Sequence, residues 1–313
     1  MRKIIIGVLF FVVIAYFGIG FYVYGESVAV PCSIVESEKD NRPDNFSLGE
    51  KADWDPSKYF VQDYETVLIN TNDGVVLSGW WMETDKNAPT VIGLHGVTSG
   101  KHSPDVLLVG GMLVSEGFNY LTFDFRDHGE STCEDGVHSA GQKEIYDVKA
   151  AIDWLVNEKN IPSNKIGIHG SSFGAMVALM AQYTSDDISA LSIVDTPFDF
   201  ATLVREELIY QGFPPFLYEP VNHYALLFEG IDITEVSPED GVSKGKNPMI
   251  IFNGIKSDRV LSHHTDDLIN AGNQYNIEML VNRYPELSHT EVMFMYPDEF
   301  LNKIVPFFKE KLN

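Results

Sequence analysis

The sequence predicts an α/β fold: a mostly parallel, eight-stranded sheet with helices on both faces, entered through an antiparallel hairpin. Three observations carry this expectation. After residue 88, short apolar runs alternate with helix-length segments, the rhythm of strands joined by crossover helices. Ahead of them, "YETVLIN" and "VVLSGWWM" flank Asn72-Asp73-Gly74, a turn sequence that suits a hairpin. A hydrophobic content of 44% over 313 residues is enough for a sizeable core.

The chain begins with a different kind of segment. Arg2 and Lys3 precede "IIIGVLFFVVIAYFGIGFYVY", residues 4–24, a run of 21 residues without a charge. At 1.5 Å per helical residue this length matches the hydrocarbon thickness of a bilayer. Basic residues lie before it, and Glu26, Glu36, Glu38 and Asp40 follow. The positive-inside rule then leaves residues 1–3 as a cytoplasmic tip and places the rest of the chain outside a cell membrane, as a single-pass protein. The alternative is a secreted protein, with "SVA" at residues 27–29 serving as a signal cleavage site. Residues 25–56 are polar and rich in Pro, Asp and Asn, and read as a tether or surface arm. Residues 57–313 form the folded domain.

Within that domain the hairpin comes first, followed by "PTVIGLHG", an apolar run suited to a buried parallel strand. Ser103-Pro104 then supplies a helix N-cap with proline at the first helical position. "NYLTFDF" is a fourth strand. A helix over 142–157 places Ile145, Val148, Ile152 and Leu155 on one face. "KIGIHG" is the fifth strand, and "GAMVALMAQY" a helix of small residues able to pack close to a sheet. "ALSIVD", "PMIIFNG" and "IEMLVNRY" complete the strands, and a helix over 298–311 closes the chain. One segment interrupts the alternation. Residues 198–247 carry "FPPFLYEP" and many aromatics, and a structureless loop of that length is improbable, so they are expected to form a small helical lid.

Composition narrows the chemistry. Lys and Arg total 22 against 45 Asp and Glu, a formal charge of −23, which repels phosphate backbones and argues against a nucleic-acid partner. Cys32 and Cys133 are too few for a metal site or a disulfide framework. They are expected to be unrelated thiols, with a bridge between them as the alternative outside the cytoplasm.

Gly170-Ser171-Ser172-Phe173-Gly174 fits G-x-S-x-G at a strand-to-helix junction, the context in which that motif lifts a serine out of a sheet. The glycines flank Ser172 symmetrically, which makes Ser172 the candidate nucleophile and Ser171 a structural neighbour. A serine hydroxyl needs a base. His289, in "YPELSHTE", follows the last strand and so lies at the carboxyl edge of the sheet. His102, His138, His169, His223, His263 and His264 are expected to be structural or surface residues. The base needs an acid: Asp258, in "FNGIKSDRV", is favoured on its loop context, with Asp195 at the end of "ALSIVD" as the competitor. The "LHGVTSG" loop supplies an oxyanion donor at the Val97 amide, paired with the amide of Phe173.

With these residues in place the chain resembles the α/β-hydrolase superfamily, whose nucleophile, acid and histidine follow the order Ser172, Asp258, His289. "FDFRDHGES", residues 123–131, is similar to the family's D-x-R-G-H-G-x-S segment, with Asp127 in place of the usual glycine. "VSPEDGV" and "NGIKSDRV" resemble the serine aminopeptidase/acylaminoacyl-peptidase-like branch and bacterial membrane-anchored hydrolases. The resemblance covers residues 61–313 and implies a serine hydrolase with no metal or organic cofactor. The expected reaction is carboxylic-ester hydrolysis through an acyl-enzyme, on a small-molecule acyl ester. A thioesterase, a lipase or a peptidase would use the same residues, and a non-catalytic binding protein on this fold is the alternative from another class.

Overall fold

The eight apolar runs form one sheet in a computed structural model that describes residues 2–312. The strands are β1 (Glu65–Asn70), β2 (Val76–Met82), β3 (Thr90–Leu94), β4 (Asn119–Phe123), β5 (Ile166–Ser171), β6 (Ala190–Val194), β7 (Met249–Gly254) and β8 (Met279–Tyr284). Their order is β1-β2-β4-β3-β5-β6-β7-β8. Only β2 runs against its neighbours, pairing antiparallel with β1 and β4, and every other pair is parallel. The central strands β3 to β7 are buried along their whole length, which is why they read as unbroken apolar runs. The edge strands β1 and β8 are partly exposed.

The chain leaves β3 toward β4 on one side and returns to β5 on the other, with Leu94 registered against Gly170. Strand order reverses there, and the crevice outside the carboxyl ends of β3 and β5 is the place where such sheets bind ligands.

The helices are α1 (Arg2–Val28), α2 (Pro104–Ser115), α3 (Glu144–Asn157), α4 (Phe173–Ala181), α5 (Phe200–Tyr210), α6 (Tyr218–Tyr224), α7 (Pro238–Gly245), α8 (His263–Gln274), α9 (Val292–Met295) and α10 (Pro297–Lys311). One apolar layer joins the sheet to α3, α4 and α8 through Ile145, Val148, Ile152, Leu155, Ala175, Leu179 and Leu268. The opposite layer joins it to α2, α9 and α10 through Leu108, Met112, Phe294, Phe300 and Phe308. Ser103 precedes α2 as expected, but its hydroxyl donates to Asp105 instead of capping the helix.

Three regions differ from, or add to, the sequence expectations. Residues 25–56 are not a free tether. Phe46 and Leu48 are buried with Tyr59 against the α2 and α10 layer, and the Asn41 side chain donates to the His102 carbonyl at 3.1 Å. A few well-spaced apolar residues suffice to dock a polar segment. Second, Cys32 and Cys133 are joined, with Cα atoms 5.5 Å apart, which corrects the expectation of unrelated thiols. The backbone brings them together: Val30 donates to Gly136 at 2.9 Å, and His138 donates to Val28 at 2.9 Å. Third, α1 continues past residue 24 to Val28. It is long and apolar enough to cross a membrane, and its last turns pack Val23, Tyr24 and Val28 against Val204, Leu208, Val221 and Ala225.

Because the bridge closes a loop of 101 residues, chain-entropy arguments assign it about 4.7 kcal/mol. The Cys32→Ser/Cys133→Ser variant is expected to melt roughly 5–10 °C lower in a thermal scan. An unchanged Tm would show that backbone pairing alone holds this junction.

Candidate active site

The site is built on the turn from β5 to α4. Ser172 occupies φ 55°, ψ −120°, a region that side-chain-bearing residues adopt only under constraint. The constraint is close packing. A Cβ at Gly170 would lie 2.5 Å from the Gly174 carbonyl oxygen, and a Cβ at Gly174 would lie 2.4 Å from the Leu94 oxygen. The two glycines therefore let the helix start hard against β5 and the end of β3. The Ser172 amide is held by the Val194 carbonyl at 2.9 Å, and the Ser172 carbonyl accepts from Ala175 and Met176 at 3.0 and 3.1 Å. Ser171 points into the protein and is buried.

His289 lies in the loop after β8, and its Nε2 is 2.9 Å from Ser172 Oγ. Its Nδ1 is 3.2 Å from Ser257 Oγ. Asp258 is the next residue along, exposed, and makes no hydrogen bond to His289 among the described residues. Its carboxylate acts on the ring through charge, favouring the imidazolium. Asp195 is buried at the end of β6 with φ 45°. Its carboxylate accepts from the Asn253 side chain at 3.0 Å, from the Gly254 amide at 2.8 Å and from the Thr290 amide at 2.7 Å. It thus clamps the backbone beside His289 without touching the ring, and burial pushes its pKa up to about 6. Ser257 was not anticipated: a serine next to the expected acid carries no sequence signal of its own.

Val97 and Phe173 both line the cleft beside Ser172 and His289. The Phe173 amide belongs to the first turn of α4, where backbone N–H groups have no partner within the helix. The loop carrying Val97 is braced from behind. His95 Nε2 accepts from the Phe125 amide at 3.0 Å, which leaves Nδ1 to donate to the Gly96 carbonyl at 2.7 Å. Burial pushes the His95 pKa down to about 3 and keeps this ring neutral. The His128 ring bridges the Arg126 and Val97 carbonyls at 2.8 and 2.6 Å. Further along, the fully buried Lys101 ammonium meets Asp124 at 2.6 Å, Glu130 at 2.7 Å and Ser78 at 3.1 Å. These contacts pin the loop after β3 to the residues that follow β4 and to β2.

Asp127, the departure from the family segment, has φ 62°, a conformation in which glycine costs least. The carboxylate offsets the strain by accepting from the amides of Glu134, Asp135 and Gly136 at 2.5, 3.0 and 3.0 Å. The other histidines are accounted for. His169 bonds Ser192 at 3.0 Å, His223 bonds Tyr16 at 2.6 Å, and His102 takes the Asn41 carbonyl at 2.9 Å. His138 sits between Phe173 and Phe200. His263 and His264 converge on Glu206 at 2.5 and 3.1 Å, a grouping of metal-ligand type. However, His264 Nδ1 accepts from the Phe198 amide at 3.2 Å. That bond leaves the proton on Nε2, the atom a metal would need free, so the cluster reads as a link from α5 to α8.

The cleft holds about 920 Å³ and is lined by Leu48, Val97, Phe200, Leu203, Val204 and Phe294 around Ser172 and His289. Carboxylates of Glu26, Glu38 and Glu207 also border it. Burial, helped by the cations Lys51 and Arg259, pushes the His289 pKa down to about 4. A histidine that acts as a base must be neutral to accept a proton, so a depressed pKa would keep His289 able to do so below the ordinary histidine range. The acid limb of kcat/KM is therefore expected below pH 6.5, and Lys51→Met/Arg259→Gln should move it to higher pH. A limb that stays in place in that variant would contradict this electrostatic account.

The sequence profile of the prolyl oligopeptidase family matches residues 111–313. The uncharacterized protein YqkD of Bacillus subtilis is 27% identical over 241 residues, spanning 75% of this chain and 73% of its own. An esterase of Pyrococcus furiosus superposes with a TM-score of 0.65 at 27% identity, over 84% of this chain and 97% of the esterase. The acylaminoacyl peptidase of Pyrococcus horikoshii superposes with a TM-score of 0.63 at 17% identity, over 80% of this chain and 42% of the peptidase. The last likeness is one of fold. Together they give the α/β-hydrolase fold.

Proposed function

The chain belongs to the prolyl oligopeptidase family and is a serine hydrolase of the α/β-hydrolase type, and on that premise we propose that it hydrolyses carboxylic esters. The observation that carries the reading is the 2.9 Å contact between His289 Nε2 and Ser172 Oγ on a strained strand-to-helix turn. Neutral His289 with its proton on Nδ1, donated toward Ser257 Oγ, leaves Nε2 free to take the Ser172 proton. Ser172 Oγ then attacks the ester carbonyl, and the amides of Val97 and Phe173 receive the developing oxyanion. His289 returns the proton to the leaving alkoxide, and the acyl-enzyme is hydrolysed by a water that the same nitrogen deprotonates.

Asp258 is proposed as the acid that stabilises the His289 imidazolium, acting through its charge, with Ser257 making the direct contact to the ring. Asp195 is assigned the positioning of the His289 loop. Support for an ester comes from the likeness to the Pyrococcus furiosus esterase over most of both chains and from the apolar lining of the cleft. The carboxylates at the cleft border favour a second reading, an exopeptidase that recognises a cationic amino terminus. Helix α1 is proposed as a single-pass anchor with the hydrolase domain outside. The basic residues at its start, ahead of the apolar run, and the Cys32–Cys133 bridge, suited to an oxidising compartment, both support that orientation.

A fluorophosphonate probe is expected to label full-length protein at Ser172, and Ser172→Ala should lose both labelling and roughly 10³-fold or more of ester turnover. Near-normal turnover by the variant would refute the nucleophile. On a matched panel, kcat/KM is expected to be higher for acyl esters than for aminoacyl amides, and the reverse order would establish the peptidase reading. Asp258→Asn should lower kcat at unchanged Tm, whereas Asp195→Asn should lower Tm as well. A larger loss of kcat from Asp195→Asn at unchanged Tm would transfer the acid role to Asp195.

A further inference from the structure

Helix α1 and the segment 198–247 meet far along the apolar run. A Cβ at Gly20 would lie 2.3 Å from the Pro220 carbonyl oxygen, so α6 crosses α1 in backbone contact there. Around the crossing, Phe21 and Tyr24 pack on Tyr224 with ring centroids 5.6 and 5.5 Å apart, and Phe17 packs on Phe228 at 5.4 Å. The uncharged run ends at Tyr24. With a rise of 1.5 Å per residue, Gly20 lies about 6 Å and Phe17 about 10 Å inside that end. A helix that crosses the span at this depth lies where amphipathic helices rest in a bilayer surface, roughly 5–10 Å into the headgroup and acyl boundary.

The side chains around α6 suit that position. Ile209, Tyr210, Phe213 and Phe216 are 45–68% exposed, as are Leu226, Leu227 and Phe228 at 47–63%. Residues 208–218 and 220–228 contain no Asp, Glu, Lys or Arg. In a chain of net charge −23, these are uncharged exposed stretches directly continuous with the anchor.

We propose that the apolar face formed by residues 209–216 and 226–228 is seated in the outer leaflet of the bilayer beside α1. The cleft then opens at the lipid surface, because Glu26, Ser27 and Ala29 after the span and Leu203, Val204 and Gln211 of α5 all border it. This makes the substrate an amphiphile with its acyl chain in the membrane and its ester at the surface. The attachment is apolar, so it does not depend on anionic lipid. The inference rests on the anchored-hydrolase reading above.

The test uses full-length protein in phosphatidylcholine nanodiscs, with the native disulfide kept and nitroxide labels at Phe10→Cys, Leu227→Cys, Phe216→Cys and, at the far end of the sheet, Tyr183→Cys. Collision with oxygen is compared with collision with a neutral nickel complex. Labels at 10, 216 and 227 are expected to favour oxygen, and the label at 183 to favour nickel. Labels at 216 and 227 that behave like 183, with 10 still in lipid, would overturn the proposal and leave the anchor standing. If the label at 10 is aqueous as well, the anchor fails and the proposal with it. Shielding of 216 and 227 from both reagents would mean that a protein covers the face, which also overturns it. As a functional readout, Leu227→Asp is expected to lose activity on vesicle-borne ester while keeping its kcat/KM on a soluble ester. Equal activity on both would count against the membrane face.

Discussion

Ser172 is held at φ 55°, ψ −120°, a backbone conformation that costs of order 1–3 kcal/mol for a residue with a side chain. The sheet over-determines it. Gly170 and Gly174 allow α4 to begin in contact with β5 and with the end of β3, and the Val194 carbonyl ties the Ser172 amide to β6. Three adjacent strands therefore fix one turn, and the turn aims the serine at the crevice where strand order reverses. The loops that complete the site lie at the same edge: Val97 after β3, Asp195 after β6, Ser257 after β7 and His289 after β8.

Each of those loops is stiffened from behind by a polar group buried away from the cleft. His95 and His128 hold the carbonyls of Gly96 and Val97, Lys101 joins the loop after β3 to the end of β4 through Asp124, and Asp195 clamps Gly254 and Thr290. Buried polar groups of this kind are costly unless satisfied, and here each one is satisfied by the backbone or the partner it positions. The N-terminal segment adds a second level of constraint. Residues 29–60 dock on the domain through Phe46, Leu48 and Tyr59, and the Cys32–Cys133 bridge ties the end of α1 to the loop after β4. Helix α1 is thus joined closely to the cleft instead of hanging from a flexible arm.

Much of this was legible in the sequence because buried parallel strands and close strand–helix turns impose strong local patterns. All eight strands coincide with the apolar runs, and the strand-to-helix turn was visible in the glycines around Ser172, since only glycine fits where a Cβ would meet a carbonyl at 2.4–2.5 Å. What the sequence concealed depends on long-range placement. Cys32 and Cys133 are 101 residues apart, and nothing local signals that strand-like pairing at Val30 brings their Cα atoms to 5.5 Å. The docked segment looked like a tether because three apolar anchors are diluted among polar residues. Asp258 and Asp195 both follow strands at the correct edge, and their different surroundings, one exposed and one clamped by backbone amides, arise only in the folded protein. Residues 198–247 were expected as a small helical lid, and several of their aromatics face outward, Phe228 against Phe17 of α1.

The most direct test of the account is to quench the full-length enzyme with acid during turnover of an activated ester and map the acyl group by mass spectrometry. The account requires an acyl adduct on Ser172 whose amount matches the burst of released alcohol. Steady turnover with no adduct, or with the acyl group on another residue, would contradict it.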